Sequence, residues 1–293
     1  MILVTGGAGY LGRNVVRALP GRAMPLDDLR NSWRAALPPG LPGIFQEMGT
    51  AIVDWAEHEA VIHCAGTPGA AQSVKHPALY WWNNVGGIMA FYQGLAGKPI
   101  VMASTGHVYG EAGPAPVREE APTRPLSPYA ESMLAAEKAF RDLGVRLASL
   151  RIFNAAGGDQ LRKNETRLIP ALLGAAMDGG SVTIHGDGST VRDFVHVEDA
   201  ARACEAAVGK EGVFNVGSGR GTTLLEVVET ARRVTGRRID VVPGEPRRGE
   251  PRALVADIAR SRKELGWTPR RSLRDIVASA WEWRKAHPWG YGP

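Results

Sequence analysis

Short apolar runs and amphipathic helical stretches alternate along most of these 293 residues. The runs are MILVT (1–5), AMPLD (23–27), IFQEM (44–48), AVIHCA (60–65), IVMAST (100–105), RLASLRIF (146–153) and VFNVG (213–217). Most are nearly continuous in hydrophobicity, the pattern of strands covered on both faces. Strand and helix in strict succession leave few architectures open, and the one predicted is α/β, a doubly wound parallel sheet with helices on both sides. After about residue 155 the texture changes to glycine-bounded polar loops leading into helices, as in GGDQLRKNETRLIPALLGAAMDGG (157–180). The predicted division is a main domain over 1–155, completed by a returning segment near 189–217. A smaller C-terminal lobe takes 156–188 and 218–293.

Composition narrows the class of partner. The formal net charge is +5, but the arginines are scattered among acidic residues rather than gathered into a basic face, so no nucleic-acid partner is expected. A phosphate-bearing substrate accounts for several of them at least as well. The two cysteines, Cys64 and Cys204, lie far apart in apolar surroundings and are expected as reduced thiols in a cytoplasmic protein. No stretch reaches the roughly 20 apolar residues of a membrane span. The seven histidines show no ligand spacing, so no metal is expected.

Directly after the first run, TGGAGYLG (5–12) opens the first helix. Its glycines answer separate needs: a tight turn, close approach of backbone N–H groups to a pyrophosphate, and close packing of helix on strand. Asp27 ends the second run where a carboxylate accepts hydrogen bonds from adenosine ribose hydroxyls and disfavours a 2′-phosphate. NAD is therefore expected rather than NADP. The alternative for Asp27 is a plain turn opening before DLRNS.

The GxxGxxG spacing of Gly6, Gly9 and Gly12 is followed by CAG (64–66), NNVGG (83–87), STGHVYG (104–110), SPYAES (127–132) and RIFN (151–154). In order and spacing these resemble the extended short-chain dehydrogenase/reductases, over nearly the whole chain. Within that superfamily the chain is most similar to NAD-dependent nucleotide-sugar epimerases and dehydratases, and its tail WEWRKAHPWGYGP (281–293) resembles the end of UDP-glucose 4-epimerases. The resemblance implies a Rossmann domain that binds NAD through Gly6, Gly9, Tyr10, Leu11 and Gly12 in the loop. Asp27, Ala65, Asn84 and Tyr129 complete the implied cofactor contacts. It also implies a UDP- or dTDP-sugar substrate and a homodimer. Substrate contacts carried over by motif are Thr105, Asn154, Leu168, Arg192, Arg247 and Glu250, the arginines suited to bidentate bonds with phosphate oxygens.

Reactions of this family begin with oxidation of a sugar carbon while a tyrosine takes the hydroxyl proton. A phenol ionises near pH 10, and bringing it close to neutrality takes about 4 kcal/mol of differential stabilisation. Tyr129 lies in the first turn of a helix that Ser127 can cap and Pro128 can begin, so unpaired N–H groups and the helix dipole favour negative charge there. Four residues on, on the same helical face, the family keeps a lysine; this chain has Met133. Three readings follow: Tyr129 acts as base with less help, another cation substitutes, or the oxidoreductase chemistry is lost. Lys138 sits nine positions from Tyr129, on roughly the opposite face, and is a poor substitute. Pro68 replaces a second lysine found near the cofactor in hexose epimerases.

Thr105 occupies the serine/threonine position that bonds the reacting oxygen. Gly106 and His107 stand where 4,6-dehydratases carry an Asp-Glu pair, which disfavours that elimination. His107 is titratable and serves as an auxiliary acid/base, or simply as a structural or substrate-contacting histidine. The predicted activity is an NAD-dependent nucleotide-sugar 4-epimerase of the UDP-glucose/UDP-galactose type, working through a transient 4-keto sugar. The alternatives are another NDP-sugar reaction that starts with the same oxidation, or a catalytically silent NAD- or nucleotide-sugar-binding protein.

Overall fold

The computed structural model describes residues 1–91, 97–113, 116–159, 167–246 and 249–291. Strand β1 (Ile2–Thr5) runs into the glycine loop and helix α1 (Tyr10–Ala18), followed by β2 (Ala23–Leu26) and β3 (Ala60–His63). Three short helical pieces come next: α2 (Ala70–Lys75), α3 (Pro77–Trp81) and, beyond a π-turn over Trp82–Gly86, α4 (Gly87–Phe91). Strand β4 (Ile100–Thr105), the long helix α5 (Pro128–Asp142) and β5 (Leu147–Ile152) complete the first half.

The second half begins with the three-residue β6 (Asn154–Ala156), α6 (Leu168–Asp178), β7 (Ser181–His185) and β8 (Val191–His196). Helix α7 (Val197–Ala206) then leads back to the main sheet through β9 (Gly212–Val216). The remainder is β10 (Gly221–Thr223), α8 (Leu224–Thr235), β11 (Asp240–Gly244), β12 (Ala253–Leu254), α9 (Ala259–Glu264) and α10 (Leu273–Ala286).

Six strands form one parallel sheet in the order β2-β1-β3-β4-β5-β9. The strand order reverses between β1 and β3, so the chain leaves both strands at the same edge and a crevice opens there. β1, β3 and β5 are buried along their full length, as their continuous apolar character requires. Two further small sheets, β10-β8-β12 with β6 paired to β8, and β11-β7, belong to the second half.

The run IFQEM, expected as a strand, is not one. Ile44 makes a single bridge to Leu26, and the sheet has six strands instead of the seven apolar runs predicted. Pro42 and Gly43 precede it, and Gln46 and Glu47 are exposed, so the run has too little to bury on a second face.

Buried side chains gather into two clusters. One spans the parallel sheet and the helices against it, including Val4, Ile62, Met102, Phe140, Leu150 and Phe214. The other joins α6, α8 and α10 through Leu172, Leu173, Val227, Val228, Ile276 and Val277. Leu254, Ala256, Ile258 and Trp267 pack on the first cluster, so the stretch around 254–267 returns to the sheet. Cys64 and Cys204 are free thiols.

Candidate active site

The ends of β1, β3, β4 and β5 bring together most of the residues singled out in the sequence. At the first of them, Gly6 has φ +64°, and a side chain there would place Cβ 2.7 Å from the Ala65 nitrogen. A Cβ on Gly12 would lie 2.0 Å from the Gly6 carbonyl oxygen, so helix α1 approaches the strand at a distance only glycine permits. Gly9 is the N-cap of α1 and supplies no side-chain cap, so the helix N-terminus opens directly from the glycine loop. Asp27 is buried at the end of β2. Its Oδ2 accepts from the Ala8 N–H at 3.0 Å, and its Oδ1 from the Leu29 N–H at 2.9 Å and the Ser32 hydroxyl at 2.6 Å.

Asn84 lies within the π-turn, a distortion common where a helix must re-aim side chains. Its amide accepts from the Thr67 N–H at 2.7 Å and donates to the Ser132 hydroxyl at 3.0 Å. It thereby ties the loop after β3, with Ala65 and Pro68, to helix α5.

Ser127 caps α5, accepting from the Ala130 N–H at 3.3 Å, and Pro128 is the first helical residue. Tyr129 follows, with the Thr105 side chain at the end of β4 near enough to its hydroxyl to favour the phenolate. Thr105 Oγ1 also accepts from the His107 N–H at 3.2 Å and caps the turn Gly106–Tyr109. The rings of Tyr129 and His107 stand 6.2 Å apart, edge to face. Burial pushes the Tyr129 hydroxyl above the ordinary phenol range and Tyr80 adds to this, against the effect of Thr105. Burial, followed by the Arg192 charge, lowers His107 to about 4 despite the opposing carboxylate of Glu250. His107 is therefore a neutral imidazole at physiological pH.

Met133 is buried one turn beyond Tyr129, at 7% exposure, within the sheet cluster. Lys138 is exposed and paired with Asp142 at 2.5 Å, away from the tyrosine.

Asn154 begins β6, and its side-chain oxygen is buried without a partner among the described residues. Arg192 on β8 is 4% exposed and pairs with Glu250 at 3.2 Å. Leu168 is the first residue of α6 and packs on the second cluster. Arg247 lies outside the described residues.

Tyr80 had no signal in the sequence. It is 2% exposed on α3, its ring stands edge to face with Tyr129 at 6.1 Å, and its hydroxyl donates to the Pro68 carbonyl at 3.1 Å. Only the packing of α3 on α5 brings these residues, 49 positions apart, together.

A profile of the NAD dependent epimerase/dehydratase family matches residues 2–217. The chain belongs to the NAD-dependent epimerase/dehydratase family. It is 38% identical to a UDP-glucose 4-epimerase of Streptomyces lividans, with 99% of this chain and 97% of that one covered. A UDP-glucose 4-epimerase of Lactobacillus helveticus is 36% identical, with 99% and 98% covered. Among solved structures, a UDP-glucose 4-epimerase with UDP-glucose from Thermotoga maritima superposes with a TM-score of 0.90 at 29% identity, covering 98% of this chain and 99% of the other. The enzyme from Bifidobacterium longum, in complex with NAD+ and UDP, gives 0.89 at 27% identity, covering 99% of both chains.

The family's cofactor fits the residues present. The cradle at Gly6 and Gly12 would be filled by any Cβ, and the first turn of α1 offers N–H donors to a diphosphate. Each carboxylate oxygen has two lone pairs, so Asp27 Oδ2, with one protein donor, retains room for a ribose hydroxyl.

Proposed function

We propose that this chain is an NAD-dependent nucleotide-sugar 4-epimerase that interconverts UDP-glucose and UDP-galactose through a transient 4-keto sugar. The observation that carries this reading is the meeting of Tyr129, Thr105 and His107 at the sheet edge, with Arg192 and Glu250 near enough for their charges to act on His107. NAD, held by the glycine loop and Asp27, would supply reversible hydride acceptance at the sugar carbon.

Tyr129 removes the C4 hydroxyl proton and later gives it back. Thr105, near enough to the Tyr129 hydroxyl to favour its phenolate, hydrogen-bonds the reacting sugar oxygen. His107, held neutral, offers one ring nitrogen as donor and one as acceptor, and serves to relay or position a proton. Arg192 and Arg247 take the diphosphate, with Asn154 beside it, and Glu250 takes a nucleotide ribose hydroxyl. Leu168 supplies an apolar contact.

Met133 stands where the family pattern places a lysine, and among the described residues no cation offsets the burial of Tyr129 in its stead. The base therefore works from a high starting point, with the helix N-terminus and the oxidised nicotinamide as the sources of positive potential. The same observation favours a second reading, a silent NAD-binding protein.

We further read residues 1–155 with 189–217 as the cofactor domain and the remainder as the substrate lobe, which the two buried clusters support apart from Phe194 and 254–267. A homodimer fits the exposed Leu79, Trp81, Trp82 and Met89 beside α5. The free thiols fit a reducing cytoplasm. Among the described residues no helix is long and apolar enough to cross a membrane.

The test is to incubate the purified protein with NAD and a panel of UDP- and dTDP-sugars and follow products by NMR. Conversion of UDP-glucose to UDP-galactose is expected, and Tyr129→Phe should lower its rate at least about 100-fold. A folded, NAD-loaded protein that converts no sugar would establish the silent reading instead.

A further inference from the structure

The first turn of α1 faces the cofactor crevice on one side and, on the other, is bound to the chain leaving β6. Tyr10 Oη donates to the Gly157 carbonyl at 2.5 Å. One turn on, Arg13 gives Nε to Asp159 Oδ2 at 2.8 Å and Nη2 to the Asp159 carbonyl at 2.5 Å, while Asn14 Nδ2 donates to Asp159 Oδ1 at 3.1 Å. Arg17 and the Tyr291 hydroxyl donate to the same carboxylate. The Arg13 side chain has 0% exposure and that of Asp159 5%. Its guanidinium lies 5.3 Å from the ring centroids of both Tyr10 and Tyr291. Arg167, the N-cap of α6, lies over the Tyr10 ring at 5.2 Å.

A buried ion pair is a poor way to gain stability, since an apolar pair of similar size does as well. What it supplies is direction: a planar fork of donors fixes both position and angle, where apolar surfaces would slide. Here the fixed quantity is the separation between the start of α1, which would hold the cofactor diphosphate, and the Asn154–Asp159 segment. That segment pairs through β6 with β8, the strand that carries Arg192. The two ligand sites thus share one clamped element, and Asp159 is its centre.

We propose that Asp159 is a positioning residue that couples the NAD site to the nucleotide-sugar site, so that either ligand tightens the other. This rests on the functional reading above. A coupling of this kind is reciprocal by thermodynamic necessity, and factors of about 5- to 150-fold are usual.

Calorimetric titration of the full chain with UDP, without NAD and with saturating NAD, measures the factor. NAD is expected to tighten UDP by about tenfold in the wild type. Tyr10→Phe removes the hydroxyl that donates to Gly157, and Tyr291→Phe the one that donates to Asp159 and accepts from Arg17; each should bring the factor below about twofold. Asp159→Asn should abolish it. A merely structural cluster would lower the melting temperature and weaken UDP in both titrations by the same factor. A wild-type factor of one, or factors in Tyr10→Phe and Tyr291→Phe equal to that of the wild type, would overturn the proposal. UDP that fails to bind the wild type at all would overturn the functional reading itself.

Discussion

At the scale of single residues, the site turns on one hydroxyl and the charge around it. Burial holds Tyr129 above the ordinary phenol range, so the phenolate fraction, and with it the proposed epimerase rate, should climb as pH rises into the alkaline range. Met133→Lys places an ammonium one turn away on the same face, which favours the phenolate. The alkaline limb of kcat should move toward neutrality by at least about one pH unit, whereas Met133→Leu should leave it in place. Steady-state rates across about pH 6 to 10 decide it, and an unmoved limb in Met133→Lys would mean that Tyr129 is not the base. The residue types were legible because glycine triads, capping serines and phosphate-seeking arginines announce themselves within a few positions. Tyr80 and Asp159 were not, because each acts on partners that only the fold delivers: Asp159 meets Arg13 across 146 positions.

At the scale of elements, the start of α5 is the part that local sequence determines most completely. Ser127 is buried, its side chain supplies the cap, and its loss leaves an N–H without a partner. Ser127→Ala should cost about 1 kcal/mol and lower the melting temperature by about 1–2 °C in a chain this size, read by calorimetry. An unchanged midpoint would show that water caps the helix as well. Helix caps are decided by neighbours in the chain, so this end could be placed from SPYAES alone. IFQEM could not, because whether an apolar run becomes a strand depends on a second buried face that lies elsewhere in the molecule. The small strands around β8 escaped notice for the same reason: β6 and β12 are three and two residues long and exist only as partners of β8.

At the scale of the whole molecule, acid stability follows from histidines held neutral inside it. His63 is 4% exposed at the end of β3, its Nδ1 lies 2.8 Å from the Thr5 hydroxyl, and burial lowers it to about 4. An unfolded histidine binds a proton below about pH 6.5. Between that value and about 4 the unfolded chain binds more protons, so stability is complete above the upper limit and is lost as pH falls through the window. His63 alone accounts for about 3 kcal/mol of that loss. His63→Gln should flatten the fall of the urea midpoint between pH 7 and 4.5, and an equally steep fall in the variant would place the sensitivity elsewhere. The parallel sheet and cofactor class were readable from the order of runs and loops, while the return of 254–267 to the sheet was not, since short apolar pieces do not say which core they join. The sheet order also has a consequence for synthesis. β5 is buried along its length yet gains its outer neighbour β9 only 60 residues later, after the second half has been entered. Until then a nascent chain presents an apolar, unpaired strand edge, the kind of surface that invites self-association and chaperone capture.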